Sequence, residues 1–451
     1  MNLLDTVTTK YSIQCISGEL TITNQSFITN QPYLVSSYLS TVTIDNSTIY
    51  DITTDESIFS LTDTVVTINN IEAYNLHTTS VGDFIQLSFD SVANFAGIIY
   101  ANSSTKFVES LSSEFRLTNL LATNILLTQY LIDYTDCTGV TLQNVMIYDV
   151  NTTNSYLMYA TRSSIDHVTN MTIHDINVAV FYILRSNVTT IDDLYIHDVA
   201  DGIHFQKSSV GILKNSRIYR SGSTSILQGG ALLIQNSNST IQNITFMSNT
   251  AQSGGAINID CGSYDICQNV IINSTFSNNM ASVQGGAIYY NYRRPEMSNI
   301  EYHNNTASYG PDIGSYPVRI VNSDMMDEPI VLTNVASGLT YNETLILLLV
   351  DYDGQTMNLI SNGQIKIVPV TNGASLSGVD YSVLVNGQSD FDSLQFVYAP
   401  GQVNIQFLAT CDLIDQEKVS YLNLPTNDSI DVSFRYCQPG EIIINNQTCS
   451  E

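Results

Sequence analysis

The stretch that decides the fold is Ile241-Gln-Asn-Ile-Thr-Phe-Met-Ser-Asn-Thr-Ala-Gln-Ser-Gly-Gly-Ala-Ile257. It contains a short motif in which one apolar residue stands two positions before an asparagine and another stands three positions after it. The motif recurs at intervals of 22 to 30 residues, and such an interval is typical of stacked supersecondary units. The twelve motif residues are Asn24, Asn46, Asn70, Asn94, Asn119, Asn144, Asn170, Asp193, Asn215, Asn243, Asn273 and Asn299.

Each repeat consists of short runs rich in Ile, Val, Leu, Thr and Tyr, separated by Asn, Asp, Ser or Gly. Such runs predict strands of about three to five residues between turns. Apolar stripes with helical spacing do not extend beyond about ten residues. A β-propeller is disfavoured because its blades need about 40 to 50 residues each. The sequence therefore predicts an all-β chain with a parallel β-helix of about twelve coils, each adding one strand to each of three sheets.

The repeated asparagine predicts a hydrogen-bonded ladder inside the turns. Coils stacked about 4.8 Å apart place equivalent residues above one another, and an amide side chain offers both a donor and an acceptor. Asparagine also tolerates the left-handed backbone that a sharp turn requires. An ionised Asp193 would be costly there unless the amides of Asn170 and Asn215 solvate it. We therefore expect Asp193 to be neutral or well hydrogen-bonded, and Asp193→Asn to keep the fold.

Two further motifs, Gly-Gly-Ala followed by Leu or Ile and Phe-x-x-Asn, mark the last coils. They begin at Gly229, Gly254 and Gly285 and at Phe246 and Phe276, respectively. These residues resemble the paired GGAI and FxxN motifs of polymorphic outer-membrane protein (Pmp) repeats, over about residues 225–310. The resemblance implies a right-handed parallel β-helix of pectin-lyase-like shape on a cell surface, with an adhesive or structural role. It implies no catalytic site.

After Pro317 the asparagine motif stops, and seven runs with alternating apolar residues follow, separated by turns such as Asn386-Gly387. This pattern predicts an antiparallel β-sandwich. The last stretch, from Cys437-Gln-Pro-Gly-Glu to Cys449, resembles the first part of a growth-factor-receptor-type cysteine-rich repeat. The predicted domains are a β-helix over residues 1–316, an Ig-like β-sandwich over 317–436 and the start of a truncated cysteine-rich module over 437–451.

The composition disfavours several classes of partner. The chain of 451 residues has 42 acidic and 15 basic residues and a formal net charge of −27. Nucleic acid and an anionic membrane surface would both repel that charge. The longest apolar run, about Leu345 to Val350, is far shorter than a bilayer requires. The N-terminus lacks the pattern of a secretory signal, and the abrupt end near Cys449 suggests that both ends are cuts in a larger protein.

Seven cysteines fit a disulfide framework, with Cys261 and Cys267 as the predicted pair. Unpaired thiols in a reducing compartment are the alternative. Thirteen Asn-x-Ser/Thr sites give weak support for a secreted glycoprotein. Because a stacked amide cannot carry a glycan, glycans are predicted at sites off the ladder. The cysteines left unassigned are Cys15, Cys137, Cys411, Cys437 and Cys449, and the predicted glycan sites are Asn102, Asn151, Asn187, Asn238 and Asn342.

An enzyme acting on polysaccharides is the alternative function, a lyase or a glycoside hydrolase. Its acids would be Asp192 and Asp193, with His204 and Arg217 as base and substrate-binding groups. The resemblance to polygalacturonases is partial. In those enzymes the Asp-Asp and Gly-His-Gly elements fall on successive coils, whereas His204 stands only 11 residues after Asp193.

A second column, four residues after the ladder position, holds aromatic residues and histidines and is often followed by an acid. His174, Asp175, His197 and Asp198 could bind a divalent metal from adjacent coils. The pattern favours a solvent-facing aromatic and acidic stripe instead, which would stack against sugars or another protein. The column is Tyr50, Tyr74, Tyr148, His174, His197 and Tyr219.

The sequence thus favours a non-catalytic structural or adhesion fragment of an extracellular or cell-surface protein, whose β-helix is a rigid spacer and binding face. The expected partners are a carbohydrate or protein ligand at the cell surface, with no nucleic acid and no membrane insertion. Self-assembly into a filament through the coil ends is a further alternative. No cofactor is expected, and bound calcium is the one ion left open.

Overall fold

The computed structural model divides into two compact units. The first comprises Met1–Tyr289 with Pro295–Ala307, and the second comprises Tyr290–Arg294 with Ser308–Glu451. The residues that the structure describes are 2–3, 13–28, 34–78, 82–153, 156–222, 227–262, 267–291, 293–324, 329–421, 423 and 429–450.

The first unit is a parallel β-solenoid, which confirms the predicted fold class. It has about eleven turns, close to the twelve expected. Its strands are β1 (Asn2–Leu3), β2 (Ile13–Ile16), β3 (Glu19–Thr23), β4 (Ser26–Phe27), β5 (Val35–Tyr38), β6 (Thr41–Thr54), β7 (Phe59–Thr62), β8 (Val65–Thr78), β9 (Asp83–Ser88), β10 (Val92–Ser103), β11 (Lys106–Leu111), β12 (Glu114–Leu127), β13 (Ile132–Thr135), β14 (Thr138–Thr152), β15 (Tyr156–Thr161), β16 (Ser164–Leu184), β17 (Asn187–Gln206), β18 (Ser209–Lys214), β19 (Arg217–Ser221), β20 (Leu232–Gln235), β21 (Asn238–Gln242), β22 (Thr245–Met247), β23 (Thr250–Ser253), β24 (Ile257–Asp260), β25 (Asn269–Ser277), β26 (Met280–Gln284), β27 (Ile288–Tyr290) and β28 (Glu296–His303).

Each coil contributes to three sheets, as the coil that holds β17 illustrates. Residues 187–192 pair with β18 in the first sheet, residues 195–199 pair with β19 in the second, and residues 203–206 pair with β20 in the third. Like residues stack in register, so Phe246 stands opposite Phe276 with the ring centroids 5.0 Å apart. This distance matches the spacing of neighbouring strands, and the stacked apolar side chains fill the interior of the solenoid.

The corner between the first and second sheets is formed by the predicted motif residues, with one exception. Eleven of the twelve have positive φ angles, between 48° and 57°. Asn94 does not: it lies exposed in a strand opposite Thr67, so its assignment to the ladder is wrong. Gly97 turns the corner in its place, with a φ of +66°, and a Cβ there would lie 2.8 Å from the amide oxygen of Asn70. Glycine adopts this conformation as readily as asparagine does.

The corner side chains form an external ladder, so the expectation of a ladder inside the turns is wrong. All of the motif residues are exposed. Four amide-to-amide bonds link neighbouring coils: Asn144 donates to Asn119 (2.9 Å), Asn170 to Asn144 (2.8 Å), Asn243 to Asn215 (3.1 Å) and Asn299 to Asn273 (2.9 Å). Asp193 is exposed as well, and the Asn215 amide donates to Asp192 instead (2.8 Å). An exposed carboxylate is hydrated by solvent, so the expected burial cost does not arise at Asp193.

A buried asparagine ladder does exist, at the asparagine of the two Phe-x-x-Asn motifs and of the Tyr302-x-x-Asn305 sequence on the next coil. Asn249, Asn279 and Asn305 are at most 6% exposed. The Asn249 amide donates to Asn279 Oδ1 (3.0 Å), and the Asn279 amide donates to Asn305 Oδ1 (3.1 Å). Each amide also donates to a backbone carbonyl of the preceding coil, such as that of Phe246 (3.0 Å). These bonds satisfy backbone groups that the tight corner leaves without strand partners.

A second buried column consists mainly of serines, and the sequence analysis missed it. The backbone N–H of each member donates to the side-chain oxygen of the member on the next coil. The bonds run from Cys137 to Ser163 (3.0 Å), Ser163 to Ser186 (3.0 Å), Ser186 to Ser208 (3.2 Å) and Ser208 to Ser237 (3.0 Å). Cys137 is thus a buried member of this column, with a free thiol.

The second unit contains two packed sheets, which confirms the antiparallel sheets expected at the C-terminus. One has the order β30-β32-β36 and the other β31-β39-β38-β33-β35. Both contribute to one core, which includes Leu347, Leu349, Phe407 and Val432. Its elements are β29 (Ile313–Gly314), β30 (Pro317–Asn322), β31 (Ile330–Val335), β32 (Leu345–Asp351), β33 (Gln364–Pro369), β34 (Ser375–Gly378), β35 (Tyr381–Val383), β36 (Gln388–Phe391), β37 (Leu394–Val397), β38 (Ile405–Cys411), α1 (Gln416–Tyr421), β39 (Ser429–Phe434), β40 (Ile442–Ile444) and β41 (Thr448–Ser450).

Two details of this unit differ from a purely antiparallel sandwich. The pair β31–β39 is parallel, and the sequence analysis did not identify β31. A short helix, α1, precedes β39. Across the described ranges, no helix has the length and apolar character needed to cross a bilayer.

The C-terminal segment is a disulfide-closed hairpin. Strands β40 and β41 pair antiparallel, and Cys437 is bonded to Cys449. Arg435 contacts both carboxylate oxygens of Glu441, at 2.8 and 2.7 Å, and these hydrogen bonds lower the pKa of Glu441 to about 2. Cys449 is therefore paired within the chain, whereas the sequence analysis left its partner open. The growth-factor-receptor-type module remains a resemblance.

Candidate functional site

The four residues proposed for an enzyme do not converge on one site. Asp192 lies in the first sheet and Asp193 at the exposed corner after it. Arg217 lies in the second sheet. His204 lies in the third sheet, where its Nε2 is 2.9 Å from Asp201 Oδ2. A hydrolase or lyase centred on these residues would need them on one face, so this assignment of the acids is wrong.

The rings of the aromatic stripe stack on one another from coil to coil. The rings of Tyr148, His174, His197 and Tyr219 follow one another at centroid distances of 5.1, 4.7 and 5.1 Å, with interplanar angles of at most 7°. The guanidinium of Arg220 lies 4.7 Å from the Tyr219 ring centroid. Since the ring faces are turned towards each other, the stripe presents ring edges to the solvent. The expectation that sugars stack on these faces is therefore wrong.

The four proposed metal ligands on this stripe contact one another in two histidine–aspartate pairs. Nδ1 of His174 lies 2.7 Å from Asp175, and Nδ1 of His197 lies 2.7 Å from Asp198. Arg220 contacts both oxygens of Asp198 at 2.6 Å and lowers the pKa of that carboxyl. Each acid therefore orients the histidine of its own coil, and a metal bound through these carboxylates and Nδ1 atoms would have to displace these contacts.

Within the described part of the chain, three potential metal ligands come within 4.8 Å of one another at Cys437, Glu441 and Cys449. The two cysteines are joined to each other, so this group is a disulfide beside an ion pair. A second disulfide joins Cys261 and Cys267. Cys15, Cys137 and Cys411 carry free thiols. Bound calcium stays a prediction.

The predicted glycan sites lie on the surface of the two units. Asn102, Asn151, Asn187 and Asn342 are exposed, and Asn238 is half-buried. The corner asparagines, however, are exposed too. The argument that they are unable to carry glycans because they lie inside the turns therefore fails, and only their bonds to neighbouring amides oppose modification.

The third sheet carries a feature that the sequence analysis missed. Six half-buried side chains on six successive coils form one outward-facing row across it. Each member stands directly opposite the next in the strand register. At about 4.8 Å per coil, the row is about 24 Å long. We name it the groove row, and its members are Gln86, Glu109, Asp133, Tyr159, Tyr182 and His204.

The N-terminal end of the groove row borders a cavity of about 450 Å³. Its lining includes Ser36, Glu56, Gln86, Lys106 and Glu109. A second cavity, of about 180 Å³, is lined in part by Gln86, Glu109 and Asp133. Polar side chains around such concave sites fix the orientation of bound ligands. This end of the row therefore has the space and the hydrogen-bonding groups that a small ligand or a chain segment needs.

A buried charge cluster lies beneath this end of the groove row. Nζ of Lys106 is 3.5 Å from Asp83 and 3.6 Å from Glu109. Burial raises the pKa of Asp83 to about 8. Burial also acts on Glu109, but hydrogen bonding with Asp83 and the charge of Lys106 outweigh it and lower the pKa of Glu109. Burial raises the pKa of Asp133. Asp83 in this cluster therefore keeps its proton near neutral pH.

The middle of the groove row presents phenol groups. Tyr130, Tyr159 and Tyr182 form a stack with centroid distances of 4.8 and 5.6 Å, and Tyr156 lies 4.4 Å from Tyr182. The Tyr182 hydroxyl donates to the side-chain oxygen of Gln206. Burial raises the pKa of Tyr156 to about 12, so its hydroxyl keeps its proton at neutral pH. As in the other stripe, ring edges and hydroxyls face outward.

The interval between repeats could have revealed this row. Its members are 22 to 26 residues apart and stand 10 or 11 residues before the corner residue of the following motif. The residue types change along the row from amide to acid to phenol to imidazole, so no common motif marks them. Only the register of the stacked coils brings them into line.

The comparisons with known proteins agree with the first unit. Residues 130–316 match the family model described as right handed beta helix region. The match covers less than half of the chain and includes the coils with the Phe-x-x-Asn motifs. No curated protein shows significant similarity to the chain.

Proposed function

We propose that this chain is a non-catalytic binding and spacer module of an extracellular or cell-surface protein, and that the groove row binds a carbohydrate chain. The observation that carries the proposal is the groove row itself: an unbroken line of hydrogen-bonding side chains, about 24 Å long, on a rigid sheet. A linear polymer of hydroxyl-rich units suits such a line, since each coil can contact a successive stretch of the ligand.

Three further observations support the proposal. The two disulfides fit an oxidising compartment, and several Asn-x-Ser/Thr sites are exposed. Parallel coils that pair over most of their length make the surface stiff, so a ligand meets side chains that are already in place. The Pmp-like motifs in the last coils are consistent with an adhesive or structural role at a cell surface.

The test is binding of the full chain to a printed panel of neutral oligosaccharides, followed by calorimetry on the best binder. Tyr159→Phe removes one hydroxyl from the groove row, and we expect it to weaken binding about three- to tenfold, the value of one hydrogen bond. Tyr148→Phe removes a hydroxyl from the aromatic stripe on the second sheet and serves as the matched control. Equal effects of the two variants, or no binding to any oligosaccharide, whether neutral or amine-bearing, would contradict the proposal.

A second candidate function, glycoside hydrolysis, is favoured by one observation. Glu109 and Asp133 stand opposite each other on neighbouring coils, and their pKa values are shifted in opposite directions. Two neighbouring carboxyl groups whose pKa values are shifted apart are the arrangement that acid–base cleavage of a glycosidic bond uses. Release of reducing ends from a polysaccharide panel, abolished by Glu109→Gln, would favour this candidate over the non-catalytic module.

A further inference from the structure

The charges at the N-terminal end of the groove row are arranged to receive a cation. Asp55, Glu56 and Glu109 line the larger cavity, and Asp133 lines the smaller one. Lys106 is the basic residue of the described lining, but its side chain is only 5% exposed and the carboxyl groups of Asp83 and Glu109 lie within 3.6 Å of its Nζ. An anionic ligand therefore meets several acids and a lysine that is already neutralised and covered.

One buried carboxyl oxygen at this end lacks a hydrogen-bond donor. Oδ1 of Asp133 is buried and has no hydrogen-bond partner among the described residues. The neighbouring Asp83 is fully buried, with its Oδ1 3.5 Å from Nζ of Lys106. Leaving a buried acceptor unsatisfied costs about 1–3 kcal/mol. The Asp133 side chain as a whole is half-buried and lines the smaller cavity, so a ligand in that cavity lies beside this unsatisfied carboxyl group.

We propose that Glu109 and Asp133 bind a protonated amino group, so that the groove takes an amine-bearing carbohydrate chain in preference to a neutral or anionic one. The proposal rests on the proposed function and names the chemistry of its ligand. An ammonium group offers three donors and a positive charge. Glu109 and Asp133 stand opposite each other on adjacent coils, so one ammonium can contact both carboxylates. Charge-assisted hydrogen bonds of this kind are stronger than those between neutral groups.

A bound ammonium would also change the protonation of the cluster. A positive charge beside Glu109 and Asp133 favours the ionised form of the carboxyl groups and lowers their pKa values. Burial raises the pKa of Asp83 to about 8, so this carboxyl holds a proton at pH 7 in the free protein. Binding of an amine that is already fully protonated therefore releases protons from the cluster, whereas binding of a neutral sugar leaves the charge of the cluster unchanged.

The experiment compares two probes of equal length, an oligomer of glucosamine and the oligomer of N-acetylglucosamine, by calorimetry on the full chain. Measurements in two buffers with different ionisation enthalpies report the protons released. We expect the amine-bearing oligomer to bind at least about tenfold more tightly, which corresponds to about 1.4 kcal/mol, and to release protons. Salt near 0.15 M reduces the general attraction of a cation to a protein with a net charge of −27.

Asp133→Asn tests the site, and Asp193→Asn is its matched control. Both variants remove one negative charge, but Asp193 is an exposed corner residue outside the groove row. We expect Asp133→Asn to bring the ratio of the two affinities close to one and Asp193→Asn to leave it unchanged. Equal loss in both variants, or an unchanged ratio in Asp133→Asn, would overturn the inference. If both oligomers bind equally, the amine preference fails alone. If neither binds and the neutral panel is also negative, the proposed function fails.

Discussion

Replacing Asn279 with alanine tests whether the buried asparagine ladder holds the last coils together. Asn279 is fully buried. Its Oδ1 accepts from the backbone N–H and the amide of Asn249 at 3.1 and 3.0 Å, and its Nδ2 donates to the carbonyl of Phe246. Alanine would leave the backbone N–H of Asn249 and the carbonyl of Phe246 without these partners, whereas the Asn249 amide keeps its bond to the carbonyl of Ile218. At about 1–3 kcal/mol for each unsatisfied buried group, the expected loss of unfolding free energy is at least about 2 kcal/mol.

Asn278→Gly is the control for this variant. Asn278 is adjacent in the chain but exposed, with a φ of 53° that glycine adopts without strain. Its replacement should cost less than about 1 kcal/mol. Urea unfolding followed by far-ultraviolet circular dichroism suits this chain, which has no tryptophan. A loss in Asn279→Ala that is no greater than in Asn278→Gly would refute the view that this ladder carries stability.

Three further predictions concern single positions and use the same unfolding assay. Gly97→Asn should change the stability by less than about 1 kcal/mol, whereas Gly97→Val should cost more than about 2 kcal/mol, because valine disfavours a positive φ; equal costs would contradict the role of the corner. The pKa of Asp83 is raised from 3.8 to about 8, so the folded state keeps a proton that the unfolded chain releases, and stability should fall as the pH rises from about 4 to 8. Asp83→Asn should flatten that slope, and an unchanged slope would count against the buried proton. Cys137→Ser should change the stability by less than about 1 kcal/mol because serine occupies the same column on the next coils, and a larger loss would show that the thiol has a separate role.

The repeat interval was enough to predict the fold because stacking forces equivalent residues into register. It was not enough at Asn94, where the residue three positions later is Gly97 and not an apolar one. That mismatch was the local signal that glycine turns the corner there. The sequence also could not tell an exposed corner asparagine from a buried one, since both stand close to the end of a short strand. Asn243 directly follows β21 and turns the corner itself, whereas Asn249 stands two residues after β22, behind the corner residue Ser248.

The candidate site was predictable only in part. His204 was selected for its chemistry, but its partners in the groove row were not, because Glu109 and Asp133 lie in runs that resemble any other strand. What these two acids contribute to the site depends on Lys106, on Asp83 and on the strand register. All three are set by three-dimensional packing, which the sequence does not show directly. The aromatic stripe shows the converse error: its members were found, but the sequence does not say whether rings face the solvent or each other.

The pairing of the coils also determines how the solenoid would respond to force. Neighbouring strands are joined by hydrogen bonds that point from coil to coil, so a pull along the stacking direction stretches those bonds directly. Fifteen residue pairs join β16 to β17 across all three sheets. The later coils are joined by four pairs between β18 and β21, three between β19 and β22 and four between β20 and β24. Under tension, separation should therefore begin in the later coils, with the middle of the solenoid remaining intact as a rigid rod.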